Sequence, residues 1–277
     1  MTTAPTQAHD RTDAFPSHRT LLVSCLVAAV LASAIMVLLH ECAHLVAGIA
    51  LGHRSTLYPY GVTHAGDLSP AHVAITSLAA PVFSLVVGLA MNAWQPFRAG
   101  RGFAHPLWGW VAFASMMEGV GYLVITPMGA GDTATAAEAM GWGVVIQLLM
   151  MAVGVGLQFL VGRLFARHVG EWAGDDRSRI MNVTMWPWLI ATAVNIALAS
   201  LYIAISGMGV TTGEMVAILA AGTAMLVFAP MSLIFARVIR ATPPRPLALS
   251  ATPVAGLVGI AVMVGLNLAL TRGLPLG

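Results

Sequence analysis

From Leu21 to Leu51 the chain is almost wholly apolar, and its one Asp, Glu, Lys or Arg residue is Glu41. A run longer than the ~20 residues that cross a bilayer constrains the fold strongly, because inside lipid a single segment meets its backbone hydrogen bonds only as a helix. Further apolar segments follow at roughly 70–95, 105–127, 139–167, 183–206, 213–239 and 250–271. Gly, Pro and Asp gather between them, as in "GHRSTLYPYGVTHAGDLSP" and "GEWAGDDRSR", which is where loops are expected. Charged residues make up 9% of the chain and hydrophobic ones 58%, with a mean hydropathy of +0.84. Soluble proteins carry about a quarter charged residues. The expected fold class is therefore all-α, a polytopic transmembrane helical bundle of about seven spans in a lipid bilayer, with no nucleic-acid partner.

Arginine placement predicts the orientation. All thirteen basic residues are arginine. With seven alternating spans, eleven of them fall on the side of the N-terminus, and only Arg54 and Arg272 on the other. Cytoplasmic loops are enriched in basic residues, so the N-terminus is expected in the cytoplasm and the C-terminus outside, in a bacterial inner (plasma) membrane. Residues 1–20 are polar and read as a disordered cytoplasmic tail, and the run after them is too long for a cleaved signal peptide. Cys25 and Cys42 share one apolar run and read as small buried residues rather than a disulfide. His53 and Arg54 read as an interfacial helix end. Trp94, Trp108, Trp110, Trp186 and Trp188 read as an aromatic belt at span ends.

Inside the first span lies His40-Glu41-Cys42-Ala43-His44, an H-E-x-x-H pattern. Positions i and i+4 of a helix share a face, so both imidazoles reach one Zn²⁺. Glu41 projects to one side of His40, where it reaches a water on the metal and serves as general base. With nine histidines in 277 residues, chance placement gives about 0.005 such matches. Ionisable groups are costly in hydrocarbon, so three together call for a functional reason. Two histidines leave a site that needs a third ligand. The candidates on the same predicted membrane face are Asp132, Glu118, His64, Asp67 and His72. Asp132 also reads as a helix N-cap before "TATAAEAMG". Glu118, deep in the third span, is the second choice of ligand and reads otherwise as a buried glutamate paired with a histidine or kept protonated, or as a substrate-gating residue or outer partner of the ligands, and His64, Asp67 and His72 read as accessory loop residues.

The chain resembles the site-2 protease family of intramembrane zinc metalloproteases. H-E-x-x-H carries that resemblance, together with Pro127 placed five residues before Asp132, as in the family pattern N-x-x-P-x-x-x-x-D-G. Val124 stands where the family has Asn, and Thr133 where it has Gly. Ala80-Pro81-Val82-Phe83-Ser84 is similar to the G-P-x-x-N element of the family's middle core helix, with Ala for Gly and Ser for Asn. The resemblance covers about residues 30–140 and implies a three-helix metalloprotease-like core. It implies His40, His44 and Asp132 as zinc ligands and Glu41 as base.

The expected organisation is a tail at 1–20, a three-span core at 21–140 and a four-span extension at 141–277. The expected function is zinc-dependent hydrolysis of a peptide bond in or beside the membrane, acting on a membrane protein or peptide. The alternative is a non-proteolytic metal-binding membrane protein: a pseudo-protease, a partner-binding module or a transporter. A transporter would line a path with polar residues in several spans. Here they gather in the first three.

Overall fold

A computed structural model describes residues 15–97, 102–206 and 229–277. Helix α1 (His18–Ala50) has 33 residues, about 50 Å at 1.5 Å per residue. It starts before the expected boundary at Leu21, because the Ser17 hydroxyl accepts the Thr20 N–H at 3.1 Å and caps the first turn. Residues 18–20, expected in the disordered tail, are therefore helical. The helix ends at Leu51 and Gly52, whose φ of 84° suits a residue without Cβ.

A small sheet follows, which the all-α expectation did not contain. Strands β1 (Ser55–Tyr58) and β2 (Gly61–His64) pair as a hairpin around Pro59-Tyr60, with Ser55 opposite His64 and Tyr58 opposite Gly61. Strand β3 (Leu274–Leu276) pairs antiparallel with the other edge of β1, giving the order β2-β1-β3. Thr56, Tyr58, Val62 and Thr63 are residue types that favour extended backbone. Leu57 is buried with Leu45 of α1, which anchors the hairpin to that helix.

Next come α2 (Pro70–Ala93), capped by Ser69 with proline at its first position, and α3 (Ala104–Ile125). A 3₁₀ turn (Thr126–Met128) leads to the short α4 (Asp132–Ala139). Then follow α5 (Val144–Ala173), α6 (Arg177–Val183) and α7 (Met185–Ile205). Beyond residue 229 lie a 3₁₀ segment (Pro230–Phe235), α8 (Ala236–Ala241) and α9 (Val254–Leu270).

Five helical stretches are long and apolar enough to cross a membrane: His18–Ala50, Pro70–Ala93, Ala104–Met128, Val144–Ala173 and Arg177–Ile205. They correspond to the first five expected spans. The fourth starts at Val144 rather than 139, because α4 closes at Ala139 and Gly141 turns the chain with φ 64°. The sixth expected span, 213–239, falls mostly outside the described residues. The seventh corresponds to α9, an apolar helix of 17 residues.

Helix α1 is the axis of the assembly and packs against α2, α3, α7 and α9. Between α2 and α3 the backbones approach closely. A Cβ on Gly119 would lie 2.7 Å from the Pro81 carbonyl oxygen, and one on Gly88 would lie 2.6 Å from the Met116 nitrogen. Small residues permit such approaches between apolar helices. Trp110 is fully buried, its ring centroid 5.0 Å from that of Phe165. It therefore belongs to the α3–α5 core rather than to a belt. Trp108, by contrast, donates its indole N–H to the Met91 carbonyl at 2.9 Å at the end of α2.

Candidate metal centre

His40 and His44 lie 10 and 6 residues before the end of α1, about 15 and 9 Å below it. Both are buried, as is Glu41. The i and i+4 spacing turns both rings to one face, and their Nε2 atoms lie 3.2 Å apart. Across from them stands Asp132. Its Oδ2 is 3.0 Å from His40 Nε2 and 3.3 Å from His44 Nε2. Among the described residues these three form the one group of three or more His, Cys, Asp or Glu that could hold a metal ion.

The geometry fits a tetrahedral ion. Ligand atoms about 2.0 Å from a tetrahedral centre are separated from one another by about 3.3 Å. The observed edges of 3.0, 3.2 and 3.3 Å outline one face of such a tetrahedron. One corner stays free for a water or a substrate oxygen.

The chain delivers Asp132 by a tight return. Gly129 and Gly131 take φ values of 69° and 78°, and α4 starts directly afterwards. A Cβ on Gly131 would run into the ring of Tyr122. Gly131 occupies the cap position of α4, so Asp132, in the first helical turn, is free to face the histidines. Thr133 locks the turn: its hydroxyl donates to the Tyr122 carbonyl at 2.8 Å and lies 2.6 Å from the Thr126 hydroxyl. Burial pushes the Asp132 carboxyl up. The hydrogen bonds and charge of His40 and His44 outweigh it and hold the carboxyl below the usual carboxylate range.

The outer ring nitrogens are engaged too. His44 Nδ1 donates to the Thr76 carbonyl at 2.7 Å, a bond only a protonated Nδ1 can make. Nε2 is then the nitrogen left to bind an ion or, when protonated, to donate to Asp132 at 3.3 Å. His40 Nδ1 lies 3.4 Å from the Ser84 hydroxyl and 3.6 Å from Glu118 Oε1. Tyr122 stacks on the His40 ring, centroids 5.4 Å apart and planes at 16°, and its hydroxyl donates to Glu118. Such outer partners fix tautomer and ring orientation at metal sites.

The remaining expected residues are placed as follows. Glu118 stands behind His40, on the ring edge away from Asp132. Glu41 is close enough for its charge to act on His40, His44 and Asp132. His64 Nδ1 is bonded to the Ser55 hydroxyl at 2.8 Å, and His72 Nδ1 meets His53 Nε2 at 2.8 Å. Asp67 is exposed in the connection from β2 to α2. None of these three joins the triad. Ser84, Tyr122 and Thr76 were not singled out from sequence as partners of the histidines. Tyr122 had a signal, since it follows Glu118 at helical i+4 spacing. Thr76 had none, because it contributes a backbone carbonyl. No known protein family, curated protein or solved structure matches the chain.

Proposed function

We propose that the chain is a membrane-embedded zinc metallopeptidase, similar to the site-2 protease family. The observation that carries this reading is the triangle of His40 Nε2, His44 Nε2 and Asp132 Oδ2, joined to an adjacent buried Glu41. His40, His44 and Asp132 would hold the ion, and a bound Zn²⁺ supplies an acidified water and polarises a carbonyl. Glu41 takes the proton of the attacking water and passes it to the leaving amine. Ser84, Glu118 and the Thr76 carbonyl keep the two imidazoles aimed. The substrate is a membrane protein or peptide whose helix opens locally, since helical carbonyls are otherwise hydrogen-bonded.

Seven crossings, with the N-terminus in the cytoplasm of a bacterial inner membrane, complete the proposal. The arginine bias supports it, and so does the course of the chain. Tyr202, near the end of α7, stacks on Tyr60 of the hairpin with centroids 6.2 Å apart. At the other end of the bundle, Arg245 N–H donates to the Glu171 carbonyl at 2.7 Å. The described chain thus stands at one end of the bundle at Tyr202 and at the other at Arg245.

The alternative, a metal-binding pseudo-protease or partner module, draws on Val124. Its Cγ2 lies 2.9 Å from where a Cβ on Gly154 would stand, so the position of the family's Asn is spent on α3–α5 packing. The deciding experiment compares membranes containing the wild type or Glu41→Gln by mass spectrometry of new protein N-termini, beside zinc analysis of both purified proteins. Zinc in both, with cleavage inside or beside spans only in the wild type, supports the peptidase. Equal zinc and identical N-termini would refute it and leave the alternative.

A further inference from the structure

A second pair of histidines meets outside the triad. His53 follows α1 and His72 lies in the first turn of α2, so the whole β1–β2 hairpin is strung between them. Their rings stand edge to face, centroids 5.1 Å apart and planes at 79°. His53 Nε2 is 2.8 Å from His72 Nδ1. Two neutral imidazoles in this arrangement share one hydrogen, with one nitrogen donating and the other accepting. Both side chains are only half-buried, so an ion in solution reaches them.

We propose that His53 and His72 form a second divalent-cation site, selective for ions that favour imidazole, such as Zn²⁺ or Co²⁺. Two nitrogens at hydrogen-bond distance already supply one edge of a tetrahedral site. Opening that edge from 2.8 Å to the ~3.3 Å of a zinc-type ion asks about half an ångström of side-chain rotation. On binding, the shared hydrogen moves to an outer ring nitrogen and both inner lone pairs go to the ion; solvent fills the other positions. With two protein ligands against three, this site binds more weakly than the triad and exchanges its ion.

The ion would staple the end of α1 to the start of α2 and so close the base of the hairpin. The staple lies one helical turn from the triad's supports. The His72 carbonyl accepts the Thr76 hydroxyl at 2.8 Å, and the Thr76 carbonyl accepts the His44 Nδ1 hydrogen at 2.7 Å. The second site therefore reports on, and restrains, the backbone that orients a triad histidine. It stands whether or not the triad cleaves peptides.

The test is equilibrium dialysis of the full-length, untagged chain in detergent against buffered Zn²⁺, with bound zinc counted per chain. The wild type should bind two equivalents of distinct affinity. His53→Gln combined with His72→Gln should remove the weaker and keep the tighter. His40→Gln combined with His44→Gln should do the reverse. Glutamine preserves hydrogen bonding, and single His53→Ala and His72→Ala variants, each followed by thermal unfolding, provide folded substitutes should a double variant fail. A single equivalent in the wild type overturns the proposal. So does a second equivalent that survives loss of both His53 and His72.

Discussion

Glu118→Gln separates charge from shape at the metal centre. The substitution keeps the size of the side chain and leaves an oxygen to receive the Tyr122 hydroxyl, but it removes whatever negative charge the carboxyl bears 3.6 Å from His40 Nδ1. That distance is too long for a hydrogen bond, so the carboxylate acts mainly through its field. Two unit charges at that separation interact by about 4–5 kcal/mol at an effective dielectric near 20. The ring of a zinc-bound histidine carries only a fraction of the ion's charge, so a loss of about 1.4–2.7 kcal/mol follows. This is a 10- to 100-fold weaker zinc affinity, the range seen when outer partners of metal-bound histidines are removed. Competition against a chelator of known affinity measures it directly. Ser84→Ala serves as a companion, because it takes away the neutral contact at 3.4 Å on the same nitrogen and should cost less. An affinity for Glu118→Gln within twofold of wild type would refute the orienting role and make the buried carboxylate a packing feature.

Other outcomes follow from the same geometry. Because the Asp132 carboxyl lies below the usual carboxylate range, it contributes to the site until the pH falls through that lowered value. Zinc should therefore leave on acidification as His40 and His44 take up protons, with a slope near two protons. A slope near three, followed by metal analysis across the titration, would count against the carboxyl's depression. Gly131→Ala should destabilise the fold by about 1–3 kcal/mol, since its φ is 78° and its Cβ meets Tyr122. It should also weaken zinc binding by displacing Asp132; unfolding and chelator competition read the two effects separately. A reporter enzyme fused after Gly277 and active only outside the cytoplasm should be active, and activity of a cytoplasm-only reporter there would reverse the orientation.

The parts of this molecule legible in the sequence are those written in side chains with a fixed period. Apolar length located five helices that can cross a membrane. The i and i+4 histidines of α1 announced their common face, and the Pro127–Asp132 spacing pointed to the carboxylate that faces them at 3.0 and 3.3 Å. The sheet was harder to see, because each strand is three or four residues long and β3 comes from the far end of the chain. No local pattern links Leu274 to Leu57; only the folded helices bring them together. The Thr76 carbonyl was equally hidden, since backbone acceptors leave no mark in a sequence.

The departures from the site-2 protease pattern are better understood through contacts than through similarity. Three of the four differing positions, Ser84, Thr133 and Val124, have a partner within this chain. Ser84 sits against His40 Nδ1, where its hydroxyl supports the ring. Thr133 stands where that pattern has glycine, and its hydroxyl ties α4 to both Thr126 and the Tyr122 carbonyl. These contacts hold the turn that carries Asp132, and Gly129 and Gly131 supply its left-handed residues. Val124 packs where α5 offers Gly154, a fit that Asn would fill with an amide needing partners between apolar helices. The first two changes lie around the metal group and preserve its geometry. The third alone removes a polar group without replacing it. If the chain is the proposed metallopeptidase, metal binding should be unaffected by these differences, and any altered property should lie in how a peptide is held.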